Sequence, residues 1–411
     1  MADHGPRVII GAGHVGGRAA EAMRQAGFEG EIVLIGEEPY VPYERPPLSK
    51  DLLTGDEGPE KTYLNPPGFY GEQAIDLRLE TRATAIDRTG RKVVLRDGST
   101  VAYEKLLLAT GGRVRTLDCE GANLEGIHYI RTIDDALGLR PQLTEGVRVA
   151  VIGGGFIGLE VAASARTRGA HVTVVELADQ VLARVADPAV GDLVARFHRH
   201  HGVHVMTGAT VERIDGNGRV SEVICTDGET IAADLVVVGI GILPNQEIAA
   251  EAGLEVANGI IADEFGRTSD PDIFTAGDAA FHYNPVLGRY LRLESWENAQ
   301  LGAVAVGRNM VADPEPYAAL PWFWSDQFDL NLQVVGAPET WDRLVTRGDT
   351  EGWRCVVFYM EGPRVAGATT FNLGREMRPL RRIVERGAAF SDEELADENL
   401  RLRDLAAREA E

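Results

Sequence analysis

The chain has 411 residues, a formal net charge of −22, 44% hydrophobic residues and 25% charged residues. This length exceeds what one hydrophobic core serves, so we expect several domains. No apolar run approaches the roughly 20 residues of a membrane span, and no signal-peptide pattern is present, so we expect a cytoplasmic protein. Because an acidic surface repels polyanions, we expect neither a nucleic-acid nor a membrane partner.

The first predicted elements are those of a dinucleotide-binding unit. An apolar strand at residues 8–10 leads into the turn Gly11-Ala12-Gly13-His14-Val15-Gly16, and a helical stretch follows at residues 18–26. A second apolar strand, residues 32–37, ends at Glu37, which lies 21 residues after Gly16. Strand, glycine turn, helix, strand and acid in this order are typical of a Rossmann βαβ unit.

The same pattern recurs later in the chain. After an apolar strand come Gly153-Gly154-Gly155-Phe156-Ile157-Gly158, a helical stretch at residues 159–168 and a strand that ends at Glu176, 18 residues after Gly158. In such turns the glycines let the backbone approach a pyrophosphate, and the helix N-terminus presents free N–H groups to it. The acid accepts hydrogen bonds from ribose hydroxyls. The repeat therefore predicts two dinucleotide-binding units.

Further elements indicate how the domains are organised. Apolar strands lead to Thr110-Gly111 and to Gly241, and a third apolar segment leads to Gly277-Asp278. After residue 313 an aromatic, alternating stretch predicts β-strands, and a charged helical tail follows. We predict an α/β protein with two Rossmann-like dinucleotide-binding domains, residues 1–112 with 242–316 and residues 113–241, and a C-terminal α+β domain, residues 317–411.

The three cysteines, Cys119, Cys225 and Cys355, are too far apart in sequence for a CxxC pair or a metal cluster. We expect reduced, mostly buried thiols, and we predict no metal site.

Several segments together resemble a known family. The two glycine motifs, Ala109-Thr110-Gly111 and Thr275-Ala276-Gly277-Asp278 occur in the order found in flavoproteins of the glutathione-reductase-like fold. More specific are Arg45-Pro46-Pro47-Leu48-Ser49-Lys50, Glu294-Ser295-Trp296-Glu297-Asn298-Ala299 and Pro321-Trp322-Phe323-Trp324-Ser325-Asp326-Gln327. They resemble bacterial NADH-dependent ferredoxin reductases of aromatic-ring dioxygenases and haem-thiolate monooxygenases, the branch of the putidaredoxin reductases and biphenyl dioxygenase ferredoxin reductases. The resemblance covers nearly the whole chain.

This resemblance implies an enzyme, an NADH:ferredoxin oxidoreductase with FAD on the first unit and NADH on the second. The FAD contacts that it implies are Gly11, Gly13, Val15, Gly16, Glu37, Arg45, Lys50, Ala83, Thr110, Gly111, Arg131, Asp278, Trp296 and Trp324. The NADH contacts that it implies are Gly153, Gly155, Ile157, Gly158, Glu160, Glu176, Arg184 and Gly241. For Arg184 an exposed helical arginine is an equal alternative. Glu176 favours NADH, because a carboxylate there repels the 2′-phosphate of NADPH.

Lys50 and Glu160 are the catalytic residues that the resemblance implies. A cation beside the flavin stabilises the negative charge of its reduced form, and Glu160 would hold this lysine and face the nicotinamide. The alternatives are a solvated surface charge for Lys50 and Arg45, a helix cap for Asp278, and packing alone for Trp296 and Trp324. Disulphide reductases of this architecture carry a Cys-x4-Cys pair where residues 45–53 here contain no cysteine, so thiol redox chemistry is not expected.

The implied electron acceptor is a [2Fe-2S] ferredoxin, Rieske-type or adrenodoxin-like, that feeds an oxygenase of aromatic hydrocarbon catabolism. Such ferredoxins are typically acidic, so this acidic enzyme needs a local cationic surface. Candidates are Arg375, Arg378, Arg381, Arg382 and Arg386, with Arg289 and Arg292 preceding Trp296, and a solvated helix face is the alternative. The alternative functions are an NADH oxidase like apoptosis-inducing factor and an NADH-responsive redox-sensing module.

Overall fold

The computed structural model describes residues 5–408, so residues 1–4 and 409–411 of the predicted first and C-terminal domains lie outside it. The described residues contain 27 β-strands and eleven α-helices. The strands are β1 Arg7–Ile10, β2 Ile32–Ile35, β3 Ile75–Arg78, β4 Ala83–Asp87, β5 Lys92–Leu95, β6 Thr100–Ala102, β7 Lys105–Leu108, β8 Gly112–Val114, β9 Ile127–Tyr129, β10 Arg148–Ile152, β11 His171–Val175, β12 His204–Met206, β13 Val211–Gly216, β14 Val220–Cys225, β15 Thr230–Ala232, β16 Leu235–Val238, β17 Ile242–Pro244, β18 Val256–Ala257, β19 Gly259–Ala262, β20 Ile273–Thr275, β21 Ala280–Asn284, β22 Arg289–Leu291, β23 Trp322–Gln327, β24 Leu330–Val335, β25 Arg343–Asp349, β26 Arg354–Glu361 and β27 Arg364–Phe371. The helices are α1 His14–Gln25, α2 Asp51–Thr54, α3 Phe69–Glu72, α4 Ile133–Leu139, α5 Phe156–Thr167, α6 Pro188–His200, α7 Glu247–Glu251, α8 Trp296–Asn309, α9 Met377–Arg386, α10 Asp392–Ala396 and α11 Leu402–Leu405.

The chain divides into two compact units, and the first consists of residues 5–45, 59–113 and 243–321. Its main sheet has the order β20-β7-β1-β2-β3 with parallel pairing throughout. β1 and β2 are buried along their whole length, which explains their continuous apolar sequence. Helices α1 and α8 pack together closely at Gly307 of α8. A Cβ at this position would lie only 2.7 Å from the Ala19 carbonyl oxygen of α1.

The second unit consists of residues 46–58, 114–242 and 322–408. It contains a parallel sheet of order β12-β11-β10-β16-β9, a small antiparallel sheet β13-β14-β15, and a five-stranded antiparallel sheet of order β23-β24-β27-β26-β25. Helix α9 follows the last sheet and buries Met377, Leu380 and Ile383, which lie three residues apart on one face. None of the described helices is long and apolar enough to cross a membrane.

The predicted fold class is confirmed, with a parallel sheet after each glycine motif and an α+β arrangement after residue 322. The two nucleotide-binding helices begin earlier than predicted, at His14 and Phe156, because Gly13 and Gly155 adopt extended N-cap conformations and the helices start at once. Residues 46–58 group with the second unit, although the sequence placed them in the first domain. The division into three domains stays a prediction.

Candidate functional site

The first glycine turn forms a tight cradle between β1 and α1. Gly11 has φ +112°, and a Cβ there would lie 2.1 Å from the Ala109 carbonyl oxygen, so only glycine fits. A Cβ at Gly16 would lie 1.9 Å from the Gly11 carbonyl oxygen. Gly13 is the N-cap of α1 and provides no side-chain acceptor for the N–H groups of the first helical turn. These free donors and the absence of side chains fit the pyrophosphate of a dinucleotide.

Other predicted residues of the first unit converge on this cradle. The turn Gly277–Ala279, which carries Asp278, lies against α1. Gly277 approaches Val15 so closely that a Cβ at Gly277 would be 2.4 Å from Val15 Cγ2. The Trp296 ring, at the start of α8, meets the His14 ring edge-on at 5.4 Å. The Arg45 guanidinium lies 3.9 Å from the position of a Gly13 Cβ.

His14 ties the starts of α1 and α8 together. Its Nε2 lies 2.8 Å from Gln300 Oε1, which also accepts a hydrogen bond from Arg18 Nε at 3.0 Å. Burial lowers the pKa of His14, so the ring is neutral at pH 7. Sequence reasoning did not single out His14, although it lies within the first glycine motif.

Glu37 follows β2, as predicted, and its carboxylate is half exposed. It accepts a hydrogen bond from Arg82 at 2.9 Å, and Ala83 follows Arg82 at the start of β4. Thr110 and Gly111 lie beyond the end of β7, where Thr110 Oγ1 donates to the Asn245 carbonyl oxygen at 2.6 Å. A Cβ at Gly11 would be 3.3 Å from the Thr110 nitrogen, so this turn also borders the cradle.

The second glycine turn repeats the geometry of the first. Gly153 has φ +107°, and a Cβ at Gly158 would lie 2.0 Å from the Gly153 carbonyl oxygen. Gly155 is the N-cap of α5 and again leaves the first helical turn without a side-chain acceptor. Ile157 is 46% exposed, which is unusual for an apolar residue of a buried helix. This turn also fits a dinucleotide pyrophosphate.

Glu176 is fixed against the second turn rather than extended into solvent. Its carboxylate accepts hydrogen bonds from the backbone N–H groups of Gly154, at 2.6 Å, and Ala178, at 2.8 Å. Arg184 lies beside Gly241, and a Cβ at Gly241 would be only 3.1 Å from Arg184 Nη1. The structure therefore brings these predicted NADH contacts to the edge of the same turn, with Arg184 exposed.

Lys50 and Glu160, the predicted catalytic pair, form an ion pair in the second unit. Lys50 Nζ lies 2.9 Å from Glu160 Oε1, and the Glu160 side chain is 3% exposed. Ser49 Oγ donates to Glu160 Oε2 at 2.5 Å, and Ser164 Oγ donates to the Ser49 carbonyl oxygen at 2.6 Å. The segment that carries Ser49 and Lys50 is thus fastened to α5 by two hydroxyl groups and one ion pair.

A chain of buried polar side chains continues from Glu160. Ser325 Oγ lies 2.6 Å from Glu160 Oε1, Gln327 Nε2 lies 3.0 Å from Ser325 Oγ, and His198 Nε2 lies 2.7 Å from Gln327 Oε1. Burial lowers the pKa of His198 to about 4, although the hydrogen bond to Gln327 opposes this shift. Sequence reasoning did not place Ser325, Gln327 or His198 in the site. The available signal was a pair of polar residues two apart on the buried face of β23.

The remaining predicted FAD contacts, Arg131 and Trp324, lie in the second unit. The Arg131 backbone N–H donates to Asp135 Oδ2 at 3.0 Å, just before α4. Trp324 stacks on Trp322 with ring centroids 5.1 Å apart, so the two rings share one face of β23. Trp324 Nε1 donates to Asp326 at 3.2 Å.

The three cysteines are unpaired thiols, and Cys225 and Cys355 are buried. Burial raises the pKa of the Cys355 thiol to about 11, so it is protonated and unreactive at neutral pH.

The chain matches two protein-family models. Residues 6–303 match the pyridine nucleotide-disulphide oxidoreductase model, and residues 322–406 match the reductase C-terminal model. The ferredoxin–NAD(+) reductase component of the anthranilate 1,2-dioxygenase system of Burkholderia cepacia is 44% identical over 401 residues, which are 97% of this chain and 98% of the relative.

Two solved structures share the fold over nearly the full chain. The ferredoxin reductase for the CYP199A2 system from Rhodopseudomonas palustris matches with a TM-score of 0.95 and 40% identity, covering 98% of this chain and 99% of that one. The covalent putidaredoxin reductase–putidaredoxin complex matches with a TM-score of 0.95 and 38% identity, covering 98% of both chains.

Proposed function

The chain belongs to the pyridine nucleotide-disulphide oxidoreductase family, and from that membership we propose that it is an FAD-dependent NADH:ferredoxin oxidoreductase. The observation that carries the proposal is the Lys50–Glu160 pair. Its lysine lies in residues 45–53, the segment where disulphide reductases of this architecture hold two cysteines, and no cysteine is present there. The proposed chemistry is therefore electron transfer through cofactors rather than through thiols.

FAD is assigned to the first cradle and NADH to the second. Bound FAD would accept a hydride from NADH and give up its electrons singly, so that a two-electron donor supplies a one-electron carrier. The uncapped start of α1 would bind the FAD pyrophosphate, Glu37 its ribose, and Asp278 its ribityl chain or pyrophosphate. The other proposed FAD contacts are Val15, Arg45, Ala83, Thr110, Gly111, Arg131, Trp296 and Trp324.

Lys50 and Glu160 are the proposed catalytic residues. The ammonium of Lys50 would stabilise the negative charge of reduced flavin, and Glu160 would keep that ammonium in place while facing the nicotinamide. Neither residue needs to transfer a proton, because hydride transfer depends on alignment of the two rings.

NADH rather than NADPH is the proposed donor. The Glu176 carboxylate is fastened by two backbone N–H groups at the edge of the second turn, so it cannot swing away to admit a 2′-phosphate. The uncapped start of α5 would bind the NADH pyrophosphate, with Ile157, Arg184 and Gly241 at the edges of the site.

The proposed partner is an acidic [2Fe-2S] ferredoxin that feeds an oxygenase. With a net charge of −22, the reductase needs a local cationic surface to dock such a partner. Arg375, Arg378 and Arg382 are exposed and have no ion-pair partner within residues 5–408. Their spacing of three and four residues aligns them along one side of α9 and the turn before it, and this row of three arginines is called the arginine stripe.

A cytoplasmic location and three domains complete the proposal. The FAD-binding domain would comprise residues 1–112 and 242–316, the NAD-binding domain residues 113–241, and the C-terminal domain residues 317–411. The two family matches, which end at residue 303 and begin at residue 322, support the last of these boundaries.

The test is anaerobic stopped-flow absorbance of the purified yellow protein, mixed with NADH and separately with NADPH. We expect rapid bleaching of the flavin band with NADH and slow or no bleaching with NADPH. Steady-state reduction of cytochrome c, with and without a [2Fe-2S] ferredoxin, then follows the exit of the electrons. Cytochrome c reduction should depend on the ferredoxin.

Each alternative function gives a different result. Fast bleaching by NADH, with oxygen consumption but no dependence on ferredoxin, would identify an oxidase. Slow reduction even with ferredoxin present would identify a redox-sensing module.

A further inference from the structure

Strand β23 places two polar side chains in the interior of the second unit. Ser325 and Gln327 are both 0% exposed, and the alternation of a strand puts them on the same face. A buried polar side chain destabilises a fold unless its hydrogen bonds are satisfied, and an apolar residue would fill the same space at less cost. These two side chains therefore need an explanation beyond packing.

The hydrogen bonds of these side chains have a fixed direction. A carboxylate only accepts, so Ser325 Oγ donates to Glu160 Oε1 at 2.6 Å. The Ser325 oxygen then accepts from Gln327 Nε2 at 3.0 Å, which leaves Gln327 Oε1 to accept from His198 Nε2 at 2.7 Å. The network thereby assigns the His198 proton to Nε2.

His198 is a neutral end point of this network. Its ring is fully buried, and burial lowers its pKa to about 4, so it carries no charge at pH 7. His198 Nδ1 has no hydrogen-bond partner among the described residues, so nothing competes for the ring through its other nitrogen. The contact with Gln327 therefore sets the tautomer of His198 and fixes the orientation of the Gln327 amide.

Ser325 also completes the donor set of Glu160. Glu160 Oε1 receives Lys50 and Ser325, whereas Oε2 receives Ser49. Without the Ser325 hydroxyl, the Oε1 atom would keep only the flexible ammonium of Lys50, and the Gln327 amide would lose its acceptor. The carboxylate would then be held by Ser49 and Lys50 alone, which fix the geometry in which it holds Lys50 less firmly.

We propose that Ser325, oriented by Gln327 and His198, is a positioning residue for the Lys50–Glu160 pair. It fixes the Glu160 carboxylate and, through it, the ammonium that acts on bound flavin. This inference rests on the proposed function, and it gives strand β23 of the C-terminal region a part in flavin reduction by NADH.

The test compares Ser325→Ala with the wild-type holoenzyme. We expect the limiting rate constant of flavin reduction by NADH to fall about tenfold, the loss typical of one hydrogen bond to a charged group, with little change in the NADH concentration for half-saturation. We also expect a more negative flavin midpoint potential, measured by equilibration with a redox dye without NADH, because a less fixed cation stabilises reduced flavin less. Ser325→Cys, which keeps a weaker donor of similar size, should fall between the two in both measurements.

Two further variants separate positioning from packing. Thr370→Val removes another buried hydroxyl of the same sheet, one without a hydrogen-bond partner in the described structure, and should change neither the rate constant nor the potential. Gln327→Met removes the donor to Ser325, so it should shift the rate constant and the midpoint potential in the same direction as Ser325→Ala does. If Ser325→Ala does not fold, Gln327→Met serves as the test in its place. Wild-type values for Ser325→Ala, or equal changes in Thr370→Val, would overturn the positioning role and leave the reductase proposal intact. A wild-type protein that NADH does not reduce would refute the proposed function itself.

Discussion

Glu160 is a charged group inside the second unit. The folded protein tolerates its buried carboxylate only because neighbouring side chains donate hydrogen bonds and a positive charge to it. Its side chain is 3% exposed, and its ion-pair partner among residues 5–408 is Lys50, which is 17% exposed and lies 2.9 Å away. Removal of one partner from a buried ion pair leaves an uncompensated charge, which typically costs several kcal/mol, whereas neutralising both partners costs much less.

From this geometry we expect Lys50→Met to lower the free energy of unfolding by about 3 kcal/mol. The double variant Lys50→Met/Glu160→Gln should recover most of the loss, because a neutral amide needs no cation. Urea unfolding of the three proteins at pH 7.5, followed by far-UV circular dichroism, measures the coupling between the two residues.

The control for this experiment is an exposed pair. Arg401 and Asp404 lie 2.7 Å apart with 61% and 55% of their side chains exposed, so Arg401→Met should cost less than about 1 kcal/mol. An equally small effect for Lys50→Met would mean that the Glu160 charge is compensated without Lys50. The ion pair would then not stabilise the folded protein.

At the scale of elements, helix α9 packs one face against the rest of the second unit and exposes arginine side chains on another face. Met377, Leu380 and Ile383 are buried, whereas the arginine stripe faces solvent. We expect Arg378→Glu/Arg382→Glu to slow ferredoxin reduction about tenfold at low salt and to flatten its dependence on ionic strength, because the charges that attract the partner are reversed. Stopped-flow reduction of the ferredoxin at several salt concentrations measures both effects.

A matched variant isolates the position of these charges from their number. Lys92→Glu/Arg308→Glu reverses two exposed cations outside α9 and changes the net charge by the same amount. If this variant slows the ferredoxin as much as the α9 variant does, the overall field governs docking and the arginine stripe has no special role. Flavin reduction by NADH should be unchanged in both variants.

The two glycine turns could be predicted from sequence because their determinants are local. Each lies within about twenty residues of its acid, and the backbone requirement for glycine is written in the motif itself. The Lys50–Glu160 pair was predicted only through resemblance to a family. The contacts of Ser325 with Glu160 and of His198 with Gln327 span 165 and 129 residues, and no periodicity of the sequence encodes such pairs. They arise from tertiary packing within the second unit, which a pattern of single residues does not specify.

At the scale of the whole molecule, each unit contains a buried histidine with a strongly lowered pKa, and the first unit buries neutral His14 as well. Burial lowers the pKa of His198 in the second unit and of His282 in the first to about 4, from an ordinary value of 6.5. The unfolded chain therefore takes up these protons at a higher pH than the folded chain does. Their contribution to stability is fully present above pH 6.5 and is lost as the pH falls to 4, and it amounts to about 3 kcal/mol for each residue.

We therefore expect the free energy of unfolding to decline between pH 6.5 and pH 4, before the carboxylates are protonated. Hydrogen bonds from Arg148 lower the pKa of Asp234 to about 2, and those from Arg408 do the same for Glu394, so the stability that these pairs contribute is lost mainly below about pH 4.5. In the double variant His198→Gln/His282→Leu the curve between pH 6.5 and pH 4 should be flatter than in the wild type, even though the substitutions lower stability at pH 7. Urea unfolding across this range measures the slope. An unchanged slope would mean that other groups take up the protons and that the two buried rings do not govern acid sensitivity.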